Sequence, residues 1–217
     1  MLFSGKQYKK YGGILYASNY AIRLEKVAGS YFGMDSYEDA IDWYLKAADV
    51  LHTLIKNERY KDYEALSRCY EQTGRAALCC DTNSYNETAE SMFEIVIDIR
   101  LKMKNKFPEV FIDNDLAISY YNLALAQYEL EKYDMAFKHF KMASDLEYAP
   151  AINYLGIAFE FGEGTEIDIE KTKEYYKKAF DQGDVNGKTN LERLKTEGTG
   201  SLSVFKNGVM WYNTNRY

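Results

Sequence analysis

Proline is almost missing from this chain: there are two in 217 residues, Pro108 and Pro150. Both fit junctions between helices, so nothing in the remainder interrupts long α-helices. Cysteine is equally sparse. Cys69, Cys79 and Cys80 are odd in number and lack metal-ligand spacing, which argues for reduced thiols rather than a disulfide framework. The two histidines, His52 and His139, stand apart from any cysteine and from any H-E-x-x-H arrangement, so no zinc site and no cofactor is expected. No run approaches the ~18 apolar residues of a membrane span, and Met1 to Gly13 has no apolar core of signal-peptide length. The chain therefore reads as cytoplasmic, without membrane insertion. Excess basic charge is lacking too: net charge is −6, with Lys and Arg dispersed, which excludes nucleic acid as the main ligand.

What the chain has in quantity is tyrosine, 21 residues, suited to half-buried helix faces. It also has internal repetition. Tyr120-x2-Leu123-Ala124-x2-Gln127 is followed by Tyr133 and by Ala136-x3-Phe140-x2-Ala143. Tyr120, Leu123 and Ala124 share one helix face, as do Ala136, Phe140 and Ala143. A small residue on each helix lets the axes approach while an aromatic fills the space beside it. Leu24-x2-Val27-Ala28-x2-Tyr31, Tyr37 and Ala40-x3-Tyr44-x2-Ala47 repeat the same offsets. This pattern resembles the tetratricopeptide repeat, with Gln127 in place of an aromatic.

Residues 151–183 hold Leu155-Gly156-x2-Phe159, the turn Gly162-Glu163-Gly164, then Asp168, Lys171, Tyr175-Tyr176, Ala179 and Gly183. This unit resembles the related Sel-like repeat, with Asp168 placed to cap the second helix and Gly183 just past its end. Thr172, Phe180 and Gly187 stand where that family usually carries Ala, and the larger two imply wider helix spacing locally.

The remaining segments complete the stack. Gly12-Gly13 ends any first short element, and helix resumes at about Ile14. The next helix starts after Ser36-x-x-Asp39 and runs to about Lys56. Tyr63-x2-Leu66-Ser67-x2-Tyr70 pairs with Ala89-x3-Phe93-x2-Val96, but Ser67 to Ala89 spans 22 residues where Ala124 to Ala136 spans 12. The insertion is placed as an extension toward Cys80, a turn at Asp81-Thr82-Asn83, and a helix capped by Ser84-x-x-Glu87 that reaches about Lys106. Asp113 or Asn114 opens the helix that holds Tyr120. Residues 184–196 read as a polar capping helix with Val185, Leu191 and Leu194 as its apolar contacts. Beyond Gly198-Thr199-Gly200, the runs 202–205 and 209–212 flank Asn207-Gly208, a hairpin signal.

The reading is an all-α, right-handed solenoid of antiparallel helix pairs over residues 1–198, tetratricopeptide-like with a Sel-like last repeat. The tail over 199–217 is read as a short C-terminal β-hairpin, with an unstructured end as the alternative. Catalysis finds no footing. Gly162-Glu163-Gly164 lacks a third glycine and a preceding strand, and Asp113-Asn114-Asp115 lacks the glycine and terminal glutamate of a calcium loop. Asn86-Glu87-Thr88 matches a glycosylation acceptor without a secretory context.

The resemblance implies a non-catalytic scaffold that binds a protein or peptide in a groove lined by the first helix of each repeat. Carried onto matching positions, that implies Ile22, Glu25 and Phe32; Lys61, Glu64, Arg68 and Glu71; Ile118, Tyr121, Asn122, Leu125 and Tyr128; and Asn153, Ile157 and Glu160. Packing between repeats is the competing role for Tyr121, Leu125 and Tyr128. A chaperone-tail clamp is not expected, since Glu25 and Gly29 stand where it needs Lys and Asn. A self-associating structural subunit, a homo-oligomer joined through the tail, and a ligand-responsive effector are the alternatives.

Overall fold

The computed structural model describes residues 14–56, 62–80, 82–106, 108 and 113–197. Among these residues the chain is all-α, with nine helices and no strand. They are α1 (Ile14–Gly33), α2 (Tyr37–Lys56), α3 (Tyr63–Leu78), α4 (Asn83–Lys106), α5 (Asp113–Glu129), α6 (Tyr133–Asp145), α7 (Ala149–Phe161), α8 (Ile169–Asp181) and α9 (Val185–Glu197). The chain divides into two compact units, Met1–Pro108 and Glu109–Tyr217. Lys61, the Asp81 turn position and the hairpin around Asn207-Gly208 lie outside the described residues.

In the first unit α1 pairs with α2 and α3 with α4, and α2 packs on α3 between them. The apolar spacing explains the pairing. Ala17, Ala21, Leu24 and Ala28 recur at i, i+4, i+7 and i+11 along α1, and all are buried. Ala21 and Leu24 form a core with Ala47, Ala48 and Leu51 of α2, while Ala65, Leu66 and Cys69 of α3 and Ile99 of α4 extend it. Small residues admit large ones: a Cβ at Gly74 of α3 would lie 2.8 Å from the ring of Phe93 in α4, so the ring occupies the space the glycine leaves. Most of the insertion is taken up by α3, which runs on past Ser67 to Leu78 where α5 stops at Glu129, soon after Ala124; most of the remainder lengthens the start of α4. Its N-terminus is capped by Thr82 rather than Ser84: the Tyr85 N–H reaches the Thr82 hydroxyl at 3.5 Å, whereas Ser84 accepts from Thr88 through its carbonyl.

In the second unit α5 pairs with α6, α6 packs on α7, α7 pairs with α8, and α9 covers α8 and part of α7. Pro150 sits in the first turn of α7, where its missing N–H has no helical partner to lose. Asp168 caps α8 by accepting from the Lys171 N–H at 3.0 Å, as its position in the sequence implies. Gly162 ends α7 in the left-handed region at φ 74°.

Three other helix ends use the same left-handed turn without glycine. Asp35, Glu131 and Glu147 have φ of 58°, 57° and 61°. Each belongs to a Schellman closure in which the following N–H returns to a carbonyl five residues back, as in Lys132 to Gln127 at 2.8 Å. These ends carry none of the glycine signal by which sequence marks such turns.

Two expectations about α8 and α9 change. Phe180 does not widen the spacing, because its ring points outward and is 43% exposed. Thr172 is fully buried, but its hydroxyl is satisfied within α8 by the Asp168 carbonyl. The helices approach closely at Gly187, where a Cβ would meet the Tyr176 carbonyl at 2.7 Å. Val185 is not a contact of α9 but 72% exposed; the buried positions are Gly187, Asn190 and Leu194.

Candidate functional site

In the first unit, the inner-helix positions of α1 and α3 come together across the pair. Ile22 is 44% exposed on α1. One turn on, Glu25 accepts from Arg68 of α3 through both carboxylate oxygens, at 2.9 and 3.1 Å. The bidentate fork ties α3 to α1, a link the spacing does not show. Arg68 remains 46% exposed, so solvent screens the pair and it contributes at most about 1 kcal/mol. Glu64 lies exposed one turn away. Phe32 packs edge-on against Tyr37 of α2 at 5.4 Å.

Glu71 has a different task. It accepts from Arg100 of α4 at 2.8 Å, and the Arg100 side chain is only 4% exposed. A buried guanidinium without its carboxylate is costly, so Glu71 holds α3 to α4. Cys69, between these acidic positions, is buried, and burial followed by the charge of Glu25 pushes its thiol well up. It is a packing residue, not a nucleophile.

In the second unit most of the implied ligand-facing residues turn inward. Leu125 is buried, and Ile118 and Asn122 are half-buried. Tyr121 meets Phe140, Tyr148 and Tyr154 at 5.9, 5.1 and 5.8 Å. Burial, then Tyr148 and Asp184, drive its phenol upward in pKa. Tyr128 contacts the rings of Tyr133 and Tyr154 and is hydrogen-bonded to Glu163 of the Gly-Glu-Gly turn; burial first, and that carboxylate next, raise its pKa. The turn is held against α6, because a Cβ on Gly164 would collide with the Tyr133 carbonyl.

Asn153, Ile157 and Glu160 are buried, and α9 meets the two polar ones. Asn190 donates to Asn153 at 3.0 Å. Glu160 accepts from the Tyr176 hydroxyl at 2.7 Å and from Arg193 at 2.6 Å. These polar groups are matched inside the chain by the helix that sequence reads as a solvent-facing cap. The available signal is the polar Asn153 and Glu160 on an otherwise apolar α7, which demand buried partners.

Sequence reasoning also missed a cleft of about 440 Å³ in the first unit. His52 and Ile55 of α2 form one wall, and Tyr63, Leu66 and Tyr70 of α3 form the floor. The opposite wall is α4, through Ile95, Asp98, Ile99, Lys102, Met103 and Lys106. These α4 positions recur at i, i+3, i+4, i+7, i+8 and i+11, one continuous helix face. On α3, the floor residues lie roughly 135° round the helix from Glu64, Arg68 and Glu71, given 3.6 residues per turn. The cleft is therefore a surface distinct from the inner faces.

The chemistry of catalysis is thin. His139 Nδ1 lies 2.7 Å from the buried Gln127 amide oxygen and its ring stacks on Tyr120, a packing arrangement. All three cysteines are free, and the described residues hold no group of three or more His, Cys, Asp or Glu able to bind a metal. Asn86 of the glycosylation motif is buried within α4. No described helix is long and apolar enough to cross a membrane.

The Sel1 repeat family model matches residues 31–49, 108–129, 117–148 and 149–184. A search of curated proteins found no match. Among solved structures, BtubC (BKLC) from P. vanneervenii is 15% identical with a TM-score of 0.63, covering 87% of this chain and 77% of its own. A Sel1 repeat protein from Oxalobacter formigenes is also 15% identical, with a TM-score of 0.31 over 87% of this chain and 97% of its own. The matched repeats and the paired helices with small residues facing aromatic rings make this chain similar to the Sel1 repeat family over residues 31–49 and 108–184, and its described fold is similar to that of BtubC.

Proposed function

We propose that the chain is a non-catalytic scaffold that binds a protein or peptide partner through the inner helix faces of its first unit. Sel1 repeat proteins are in general protein-interaction scaffolds. The observation that carries the reading is the surface around the Glu25–Arg68 pair: an exposed Ile22, an exposed Glu64 and a guanidinium still nearly half in solvent. An apolar anchor beside charges of both signs is the composition of a recognition surface, and a solvent-screened ion pair exchanges one carboxylate for another at small cost. Three free thiols suit a cytoplasmic, reducing compartment.

The test is affinity capture on the full chain, from extracts of the cells that make it, comparing the parent with Ile22→Glu and Arg68→Glu. A captured protein whose recovery falls at least fivefold with both variants, at unchanged melting temperature, supports the reading. Equal recovery by all three chains overturns the assignment of this face.

A further inference from the structure

The cleft between α2 and α4 has a geometry of its own. Its α4 wall keeps one helix face over 12 residues, from Ile95 to Lys106, a run of about 16 Å or three turns at 1.5 Å per residue. Such a straight wall, opposite a second helix and over an apolar floor, matches an amphipathic helix laid into a groove by anchors at i, i+3, i+4 and i+7. The volume admits the anchoring side chains of one helix face and leaves its opposite face in solvent.

The charge of the wall selects the occupant. Along one row of α4, Asp98, Lys102 and Lys106 follow at four-residue intervals, so cations outnumber anions at the rim of a chain whose net charge is −6. Lys102 and Asp98 pair at 2.5 Å, but both are largely exposed, and an exposed pair of this kind yields readily to an incoming carboxylate. Lys104 and Lys106 continue the positive potential through the last turn of α4. A cationic rim around an apolar floor disfavours a basic helix and favours an acidic one.

We propose that this cleft binds an acidic amphipathic helix of a partner protein, its apolar stripe against Ile95, Ile99 and Met103 and its carboxylates toward Lys102 and Lys106. The proposal rests on the scaffold reading but uses a different face of the first unit. The two therefore fail separately: partner capture that depends on Ile22 and Arg68 but ignores the cleft leaves the scaffold standing and removes this site.

The probes are two synthetic 14-residue peptides with blocked ends and the same Leu/Phe stripe, one flanked by Glu and the other by Lys. Binding to the full chain is read by fluorescence anisotropy, and its location by methyl NMR of the isoleucines and methionines. The acidic peptide is expected to bind at least tenfold more tightly than the basic one, to weaken as salt rises, and to shift the Ile95, Ile99 and Met103 methyls. Lys102→Glu with Lys106→Glu should reverse the preference, and Ile95→Glu should weaken the acidic peptide at least tenfold. Both sets of positions are at the surface, so melting curves matching the parent separate loss of binding from loss of fold. Equal affinity for the two peptides, no binding by either, methyl shifts elsewhere, or a self-association that Ile95→Glu abolishes would each overturn the proposal.

Discussion

Gly156 of α7 lies against the ring of Tyr176 in α8, so close that a Cβ at 156 would stand 2.5 Å from a ring carbon. Tyr176 is fully buried, and its hydroxyl is held by Glu160 one turn further along α7. The ring is thus clamped at both ends by the same helix. Gly156→Ala should destabilise the second unit by about 1–3 kcal/mol, since a ring fixed by its hydroxyl cannot slide away. Urea unfolding measures this, and a parent-like midpoint would show that the ring can move. Leu at Ala124 or Ala136, both buried where two helices touch, should cost a similar amount for the same reason.

Removing Glu160 should be worse than removing Glu25, though both pair with an arginine. Glu160→Ala leaves Arg193 and the Tyr176 hydroxyl facing a buried gap, at a cost of about 3–5 kcal/mol. Glu25→Ala frees an arginine that already reaches water and should cost under about 1 kcal/mol. In the same way Glu71→Ala, which takes a carboxylate away from the buried Arg100, belongs with the costly group. Equal thermal shifts for Glu25→Ala and Glu71→Ala would contradict this ordering.

Asp184, at the start of α9, has its pKa raised by burial, against a pull the other way from the N–H groups of Asn186 and Gly187. With the folded-state pKa above the unfolded one, the folded chain holds this proton more tightly. The stabilisation from protonation is complete below the unfolded value and lost as pH rises through the folded one. Asp184→Asn removes the buried charge and keeps an oxygen for the Asn186 N–H. It should therefore raise the melting temperature most near neutral pH, with the advantage shrinking on acidification. A pH-independent difference would trace the effect to packing.

The Cys80 thiol is pushed up to about 11, by burial first and the charge of Glu38 second. At neutral pH its alkylation by iodoacetamide should be roughly a hundredfold slower than that of an ordinary thiol, because only the thiolate reacts. Mass spectrometry of the labelled peptide checks this. Rapid labelling at pH 7 would contradict that upward shift.

Much of the fold is legible in residue spacing because helices report their buried face locally. Ala17 to Ala28, Ala136 to Ala143 and Asp168 with Lys171 each declare a stripe or a cap within one or two turns. The 22-residue gap between Ser67 and Ala89 likewise implies the extension of α3 to Leu78. Helix ends at Asp35, Glu131 and Glu147 carry no glycine, since the Schellman hydrogen bonds hold these residues in the left-handed region.

The sequence by itself determined the class of fold, the rough extent of the helices and the small-against-aromatic pairing, all properties of neighbours along one helix or one hairpin. Only the tertiary structure decided which polar residues are spent inside the chain. Glu160 and Asn153 have the spacing of ligand-facing residues, yet α9 reaches them with Arg193 and Asn190. Glu25 and Glu71 occupy the same kind of helix position, yet one meets an arginine in solvent and the other an arginine in the core. The cleft was invisible for the same reason: its walls come from three helices, and a period within one helix says nothing about the distance to the next.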